Sequence, residues 1–122
     1  MGYNDEFRKR TKEFSLNAIK LYQSLPKTEE AKIIGKQFLR SATSLGSNFR
    51  AATRARSRAE FFSKLSIVIE EADETSFWME LMSDAKIIPN KKLDELMREC
   101  LELTKVFSSS RRTLRKNNSN DD

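Results

Sequence analysis

Four arginines, Arg50, Arg54, Arg56 and Arg58, fall within nine positions of the stretch NFRAATRARSRAEFF, and no acid interrupts them before Glu60. Guanidinium groups at this density offer one chemistry above others: permanent positive charge and forked N–H donors that hold phosphate or carboxylate oxygens. A second cluster has the opposite sign, with Glu70, Glu71, Asp73 and Glu74 in IVIEEADETSFW. Inward carboxylates in a helical bundle can hold two metal ions, but that design pairs glutamates with Glu-x-x-His, and the chain has no histidine. The missing histidine also removes the usual general base and the usual catalytic triads. Neither an enzyme nor a cofactor or metal site is therefore expected.

These groups must be positioned by long elements. The 122 residues fit one domain and include only three Gly and two Pro, too little punctuation for many short strands. Charged residues make up 34% of the chain, a composition that suits helices with a charged exterior. Pro26 and Pro89 are hard breaks, and a softer one lies near Ser57, so the chain divides into four segments. The first runs from about Asn4, a good cap residue, to Leu25, with Phe7, Thr11, Phe14, Ala18, Leu21 and Leu25 at alternating spacings of four and three, a heptad seam. The second begins at Thr28, a capping residue followed by Glu29 and Glu30. Its seam is Ala31, Ile34, Phe38, Ser41 or Ala42, Leu45, Asn48 or Phe49, and Ala52, and Gly46 with its small neighbours predicts a close approach by another helix. The third opens with the capping box Ser57-Arg58-Ala59-Glu60 and carries Phe61, Leu65, Val68, Ala72, Thr75, Met79 and Met82. The fourth follows IIPN with Leu93, Leu96, Cys100, Leu103, Phe107, Ser110 and Leu114. Four amphipathic helices joined by short turns predict an all-α, antiparallel up-down four-helix bundle over residues 1–116. The tail, 117–122, reads as polar and disordered.

Antiparallel order gives the arginine cluster company. The start of the first helix, the turn between the second and third, and the end of the fourth share one pole. Residues 1–13, 48–64 and 105–116 together hold fourteen basic and four acidic groups, net +10, against nine and fourteen, net −5, elsewhere. The candidate phosphate-contacting residues are Arg8, Lys9, Arg10 and Lys12; Arg50, Arg54, Arg56 and Arg58; and Arg111, Arg112, Arg115 and Lys116. A solvated basic end and a partner-protein contact are the competing readings of the same charge. Cations also favour helix C-termini, which covers Arg54, Arg56 and Arg111 to Lys116 and leaves Arg8, Lys9, Arg10 and Lys12 unexplained.

Three polar residues read as structural. Asn48 lies close to the second seam, where a buried amide would set register. Glu70 and Glu74 share a face and Glu71 lies nearer the seam, so a partly buried Glu71 or Glu74 is expected to meet an arginine of another helix or subunit. Cys100 reads as a small buried thiol and Trp78 as a packing residue. Leu16, Ile33, Ile67, Phe77, Leu81, Leu101 and Val106 lie off the seams, and exposed apolar stripes mark interfaces; self-association is expected. The longest run without a charge, SATSLGSNF, is nine residues, far short of the ~17–25 a membrane span needs. With no signal-like apolar stretch at the start and a single cysteine, a cytoplasmic location is expected.

The stretch SLGSNFRAATRARSRAEFFSKLSIVIEEADETSFWMELM resembles the signature region of a bacterial four-helix bundle family encoded in intervening sequences of large-subunit (23S) ribosomal RNA genes and often labelled ribosomal proteins. The resemblance extends from Phe7 to about Lys116. It is most specific at Ser47-Asn48, at Arg54 and Arg58 before a phenylalanine-led helix, and at Glu70-Glu71-Ala72-Asp73-Glu74-Thr75 followed by an aromatic residue and Leu81. Many members follow the Asn with a small residue, an acid and Gly; Phe49-Arg50-Ala51-Ala52 stands here and points to a more basic subgroup. The resemblance implies an up-down bundle, often a homopentamer, without enzymatic activity. The chain is also similar to accessory proteins of diversity-generating retroelements, which implies RNA or DNA and a reverse transcriptase as partners.

Overall fold

The computed structural model describes the backbone from Gly2 to Asp121 and the side chains from Gly2 to Lys116. The side chains of the tail expected over 117–122 lie outside the residues so described. Four helices follow one another: α1 (Tyr3–Gln23), α2 (Glu29–Thr53), α3 (Arg58–Asp84) and α4 (Asn90–Asp121). Each packs on its sequence neighbours, and α1 closes on α4 along the loosest of the four seams. This is the antiparallel up-down four-helix bundle expected from the heptads, with no strand among the described residues.

The helix ends obey local chemistry, with one exception. Thr28 accepts the Ala31 amide at 3.3 Å and caps α2. Ser57 accepts the Glu60 amide at 3.0 Å and caps α3. The Glu60 carboxylate reaches back to the Arg56 amide, at 3.5 Å, one residue before the cap. The exception is α1, where Gly2 rather than Asn4 occupies the N-cap and offers no side chain. The reason is packing. Tyr3 lies against Phe7, centroids 4.8 Å apart, and its hydroxyl pairs with Ser110 Oγ at 2.8 Å, which draws the start of the helix back from Asn4 to Gly2. After α3 the chain turns through Lys86 at φ 55°. The Ile87 amide donates to Met82 O at 2.9 Å and the Lys86 amide to Ser83 O at 3.1 Å, the paired bonds of a Schellman motif.

The core follows the seams. Phe14, Phe38, Leu45, Phe49, Leu65, Met79, Leu103 and Phe107 are fully buried. Leu25, Ile34, Phe61 and Leu114 are half-buried at its margin. Gly35 rather than Ile34 is buried on α2, because Tyr22 of α1 and Leu25 of the turn that follows it press against it. The close approach expected at Gly46 is present: a Cβ there would stand 2.7 Å from Ser15 Oγ and 3.2 Å from the Thr11 carbonyl oxygen. Two buried hydroxyls cross-link α2 and α3, with Thr75 Oγ1 and Ser41 Oγ 2.8 Å apart. Cys100 is buried and its thiol donates to Ala72 O at 3.3 Å; burial pushes its pKa up to about 12, so it behaves as an inert small residue.

Candidate nucleic-acid interface

The three basic stretches meet at one end because the antiparallel order brings the first turn of α1, the last turn of α2 and the end of α4 together. An aromatic cluster fixes the meeting: Phe7 packs edge-on to Phe107 at 5.6 Å, and Phe49 stacks on Phe107 at 4.9 Å. Tyr3 joins through Phe49 at 6.3 Å. These rings come from α1, α2 and α4, so the charged side chains around them are anchored on a rigid base.

The twelve candidate cations divide into groups. Arg8, Lys9 and Lys12 of α1 and Arg50 and Arg54 at the end of α2 line a single groove of about 580 Å³, together with Ser15, Gly46 and Ser47. Asp5 is the one acid in that lining, and it holds Arg8 Nη2 at 2.6 Å. Arg10 turns away toward α4, where it grips Glu99 through Nη2–Oε1 at 2.6 Å and Nε–Oε2 at 3.2 Å. Its guanidinium also lies 5.1 Å from the Phe7 ring centroid. Arg111 is committed as well: Nε donates to Ser66 Oγ at 2.9 Å, and the guanidinium covers Phe62 at 5.0 Å. Arg115 lies 5.8 Å from the same ring. Arg112 and Lys116 are exposed on α4, and Arg56 and Arg58 are exposed beside the α2–α3 turn.

Phe62 went unremarked among the sequence signals, yet it is the platform for two of the candidate arginines. Its signal was present: it lies off the α3 seam, next to the seam residue Phe61 and four residues before Ser66, which places Phe62 and Ser66 on one face.

The acidic face is separate from this pole. Glu74 Oε1 meets Arg40 Nη2 of α2 at 3.4 Å and accepts from Trp78 Nε1 at 3.3 Å. Among the described residues Glu71 forms no ion pair with an arginine; the Ser44 hydroxyl stabilises its carboxylate, and Asn48 Nδ2 contacts that hydroxyl at 3.0 Å. Asn48 donates as well to Ser44 O at 2.9 Å, so its amide is spent within α2. Glu71 Oε2 is buried with no hydrogen-bond partner among the described residues. Desolvation, then the neighbouring Glu74 charge, pushes its pKa up against the pull of Arg40 and Ser44. Among the described residues no group of three or more His, Cys, Asp or Glu is placed to hold a metal ion, and no helix is long and apolar enough to cross a membrane.

Residues 4–109 match the family model for the 23S rRNA-intervening sequence protein. The chain belongs to that family. The crystal structure of a protein of unknown function from the S23 ribosomal protein family of Bacteroides thetaiotaomicron superposes with a TM-score of 0.83 at 32% identity, covering 89% of this chain and 97% of the other. No curated protein matches the chain. In this intervening-sequence protein the residues on which the resemblance rests, Ser47, Asn48, Arg54, Arg58 and Glu70 to Thr75, lie along α2, the α2–α3 turn and α3. Neither match involves a retroelement accessory protein.

Proposed function

We propose that this intervening-sequence protein is a non-enzymatic, homo-oligomeric bundle that binds RNA or DNA through phosphate contacts at its basic pole. The observation that carries the reading is the groove lined by five cations from two helices, held above an aromatic anchor. Phosphate contacts of this kind supply affinity with little base reading. Self-association rests on the exposed Leu16, Ile33, Phe77 and Leu101. The family resemblance supports five copies, and the single cysteine supports a cytoplasmic location.

The test is fluorescence anisotropy of labelled RNA and DNA over a salt series, with the four-fold variant Lys12→Glu, Arg50→Glu, Arg54→Glu and Arg112→Glu as comparison. All four residues are exposed, so the variant should fold. A log–log salt slope of several units that the variant abolishes supports the reading; no binding at ~50 mM salt, or unchanged affinity in the variant, removes it. A second reading, a protein-interaction scaffold without nucleic-acid affinity of its own, for example an accessory subunit of a reverse transcriptase, is favoured by Phe77 and Leu101, each about half-exposed on the helices opposite the groove.

A further inference from the structure

The basic pole has a shape that its charge count does not convey. Two groups of cations face each other across one depression, Arg8, Lys9 and Lys12 on one wall and Arg50 and Arg54 on the other. At the base of this depression α1 and α2 make their close approach, Gly46 against Ser15. Resting on the nucleic-acid reading above, we propose that this groove seats the phosphates of a single nucleic-acid strand, and that Asp5 competes with them for Arg8.

Size and curvature favour one strand. Helices packed directly on each other stand about 8–10 Å apart. The groove above them, about 580 Å³, falls in the range of pockets that enclose a small molecule, roughly 300–1,000 Å³. A duplex is a convex cylinder whose major groove alone is about 12 Å wide. It touches the rims of such a groove and leaves the inward-facing charges unused. An extended strand can lie between the walls and meet cations on both sides.

The chemistry of the groove points to backbone rather than base contacts. Ser15 Oγ donates to the Thr11 carbonyl at 3.0 Å, and Ser47 Oγ donates to the Ser44 carbonyl at 3.2 Å. Both hydroxyl protons are engaged by backbone carbonyls, Ser15 also reaching Ala42 O of α2 at 3.4 Å, so the wall charges are what remains to hold an anion. Among the described residues no aromatic side chain lines the groove, which leaves out the stacking platforms of many single-strand binders. Leu16 lies four residues beyond Lys12 and Ile19 four beyond Ser15, so each continues the same face of α1. They are 51% and 37% exposed and give an apolar shelf where a base can rest beyond the charged section. Asp5 stands 2.6 Å from Arg8, and a phosphate that takes Arg8 must displace it.

The experiment compares labelled single-stranded RNA and DNA with the matching duplexes, by anisotropy at ~50 mM salt, using the full chain. The expected result is at least ~10-fold tighter binding of single strands. The Arg50→Glu/Arg54→Glu variant should lower the salt slope by about 1.4, at ~0.7 for each single-strand phosphate that it no longer neutralises. Lys12→Glu, on the opposite wall, should weaken single-strand binding in the same way, which separates a groove effect from a fold defect in α2. Asp5→Asn should tighten binding several-fold. Equal or tighter duplex binding overturns the proposal and leaves the phosphate-binding reading standing; so does an equal loss from Arg112→Glu, which lies outside the groove. Unchanged affinity in Asp5→Asn removes the competition. No binding of any probe overturns both readings together.

Discussion

Arg10 of α1 and Glu99 of α4 form a two-point ion pair, 2.6 Å and 3.2 Å, across the loosest seam of the bundle. Both side chains are about one-third exposed, 31% and 32%, so solvent screens the pair, and its worth is near the upper end of the surface range, about 0.5–1 kcal/mol. Hydrogen bonding to Glu99 is the largest influence holding the Arg10 guanidinium still more firmly protonated than usual. Arg10→Ala and Glu99→Ala should each lower stability by about that amount, and the double variant should cost less than the sum. Arg10→Ala should also change nucleic-acid affinity less than Arg50→Ala does, because Arg10 is already engaged by a carboxylate. Urea midpoints for the cycle, with anisotropy on the single variants, check both statements. An Arg10→Ala loss of affinity matching that of Arg50→Ala would place Arg10 in the interface.

Glu71 gives a pH-dependent expectation. Its buried Oε2 lacks a hydrogen-bond partner among the described residues, and desolvation, with help from Glu74, raises its pKa above the ordinary 4.5. The folded chain therefore binds this proton more tightly than the unfolded chain. The contribution to stability is fully present below pH 4.5 and is lost as pH rises through the elevated value, so at neutral pH the ionised group opposes folding. Glu71→Gln keeps the shape and removes the charge. The variant should be more stable than the parent at pH 7, and the difference should shrink as pH falls toward 4. Chemical denaturation at pH 7, 5.5 and 4 reads it. Equal stability at pH 7 would mean that water reaches Oε2.

Much of this architecture was legible as periodicity. The α3 seam from Leu65 to Met82 and the α4 positions Leu93, Leu96, Cys100, Leu103 and Phe107 are buried as their spacing predicts. Thr28 and Ser57 cap their helices because capping depends on neighbours a few residues away. The start of α1 was not legible, since the packing of Tyr3 on Phe7 and Ser110 is long-range and outweighs the local cap signal of Asn4. The pole was visible as charge and chain order. Its division was not. Whether a basic side chain faces solvent, as Arg50 does, or bends onto Glu99, Ser66 or Phe62, as Arg10 and Arg111 do, depends on its direction around the helix and on a partner some 45 to 89 residues away. The groove needed both pieces: small residues allowing close approach, which the stretch around Gly46 signalled, and cations on the two flanking turns.

Lys86 ends α3 in the left-handed region, φ 55°, without the glycine that usually fills that position of a Schellman motif. A Cβ there costs about 1 kcal/mol. The residue is exposed, and the motif's two hydrogen bonds are made by backbone atoms, so Lys86→Gly removes the penalty and keeps the bonds. Stability should rise by up to about 1 kcal/mol, offset in part by the greater freedom of glycine in the unfolded chain. Lys86→Val should lower it. A thermal melt of both variants decides the matter, and a stabilised valine variant would contradict the backbone geometry.

Gly46 sets two effects against each other. Alanine improves helix propensity by about 1 kcal/mol at an interior position, yet its Cβ would stand 2.7 Å from Ser15 Oγ and 3.2 Å from the Thr11 carbonyl oxygen. The first obstacle is a side chain that can rotate; the second is backbone of the neighbouring helix, which moves only if α1 and α2 separate. Overpacking of this kind costs about 1–3 kcal/mol, so Gly46→Ala should be net destabilising by up to about 2 kcal/mol. Adding Ser15→Ala removes the nearer clash and leaves a contact that a shift of a few tenths of an ångström relieves. The double variant should therefore recover most of the loss, while Ser15→Ala alone should be nearly neutral, since its hydroxyl serves carbonyls of Thr11 and Ala42 within helices. Urea denaturation of the three variants measures this. A Gly46→Ala protein more stable than the parent would mean that the helices stand further apart at the base of the groove, and the narrow seat proposed for a single strand would lose its floor.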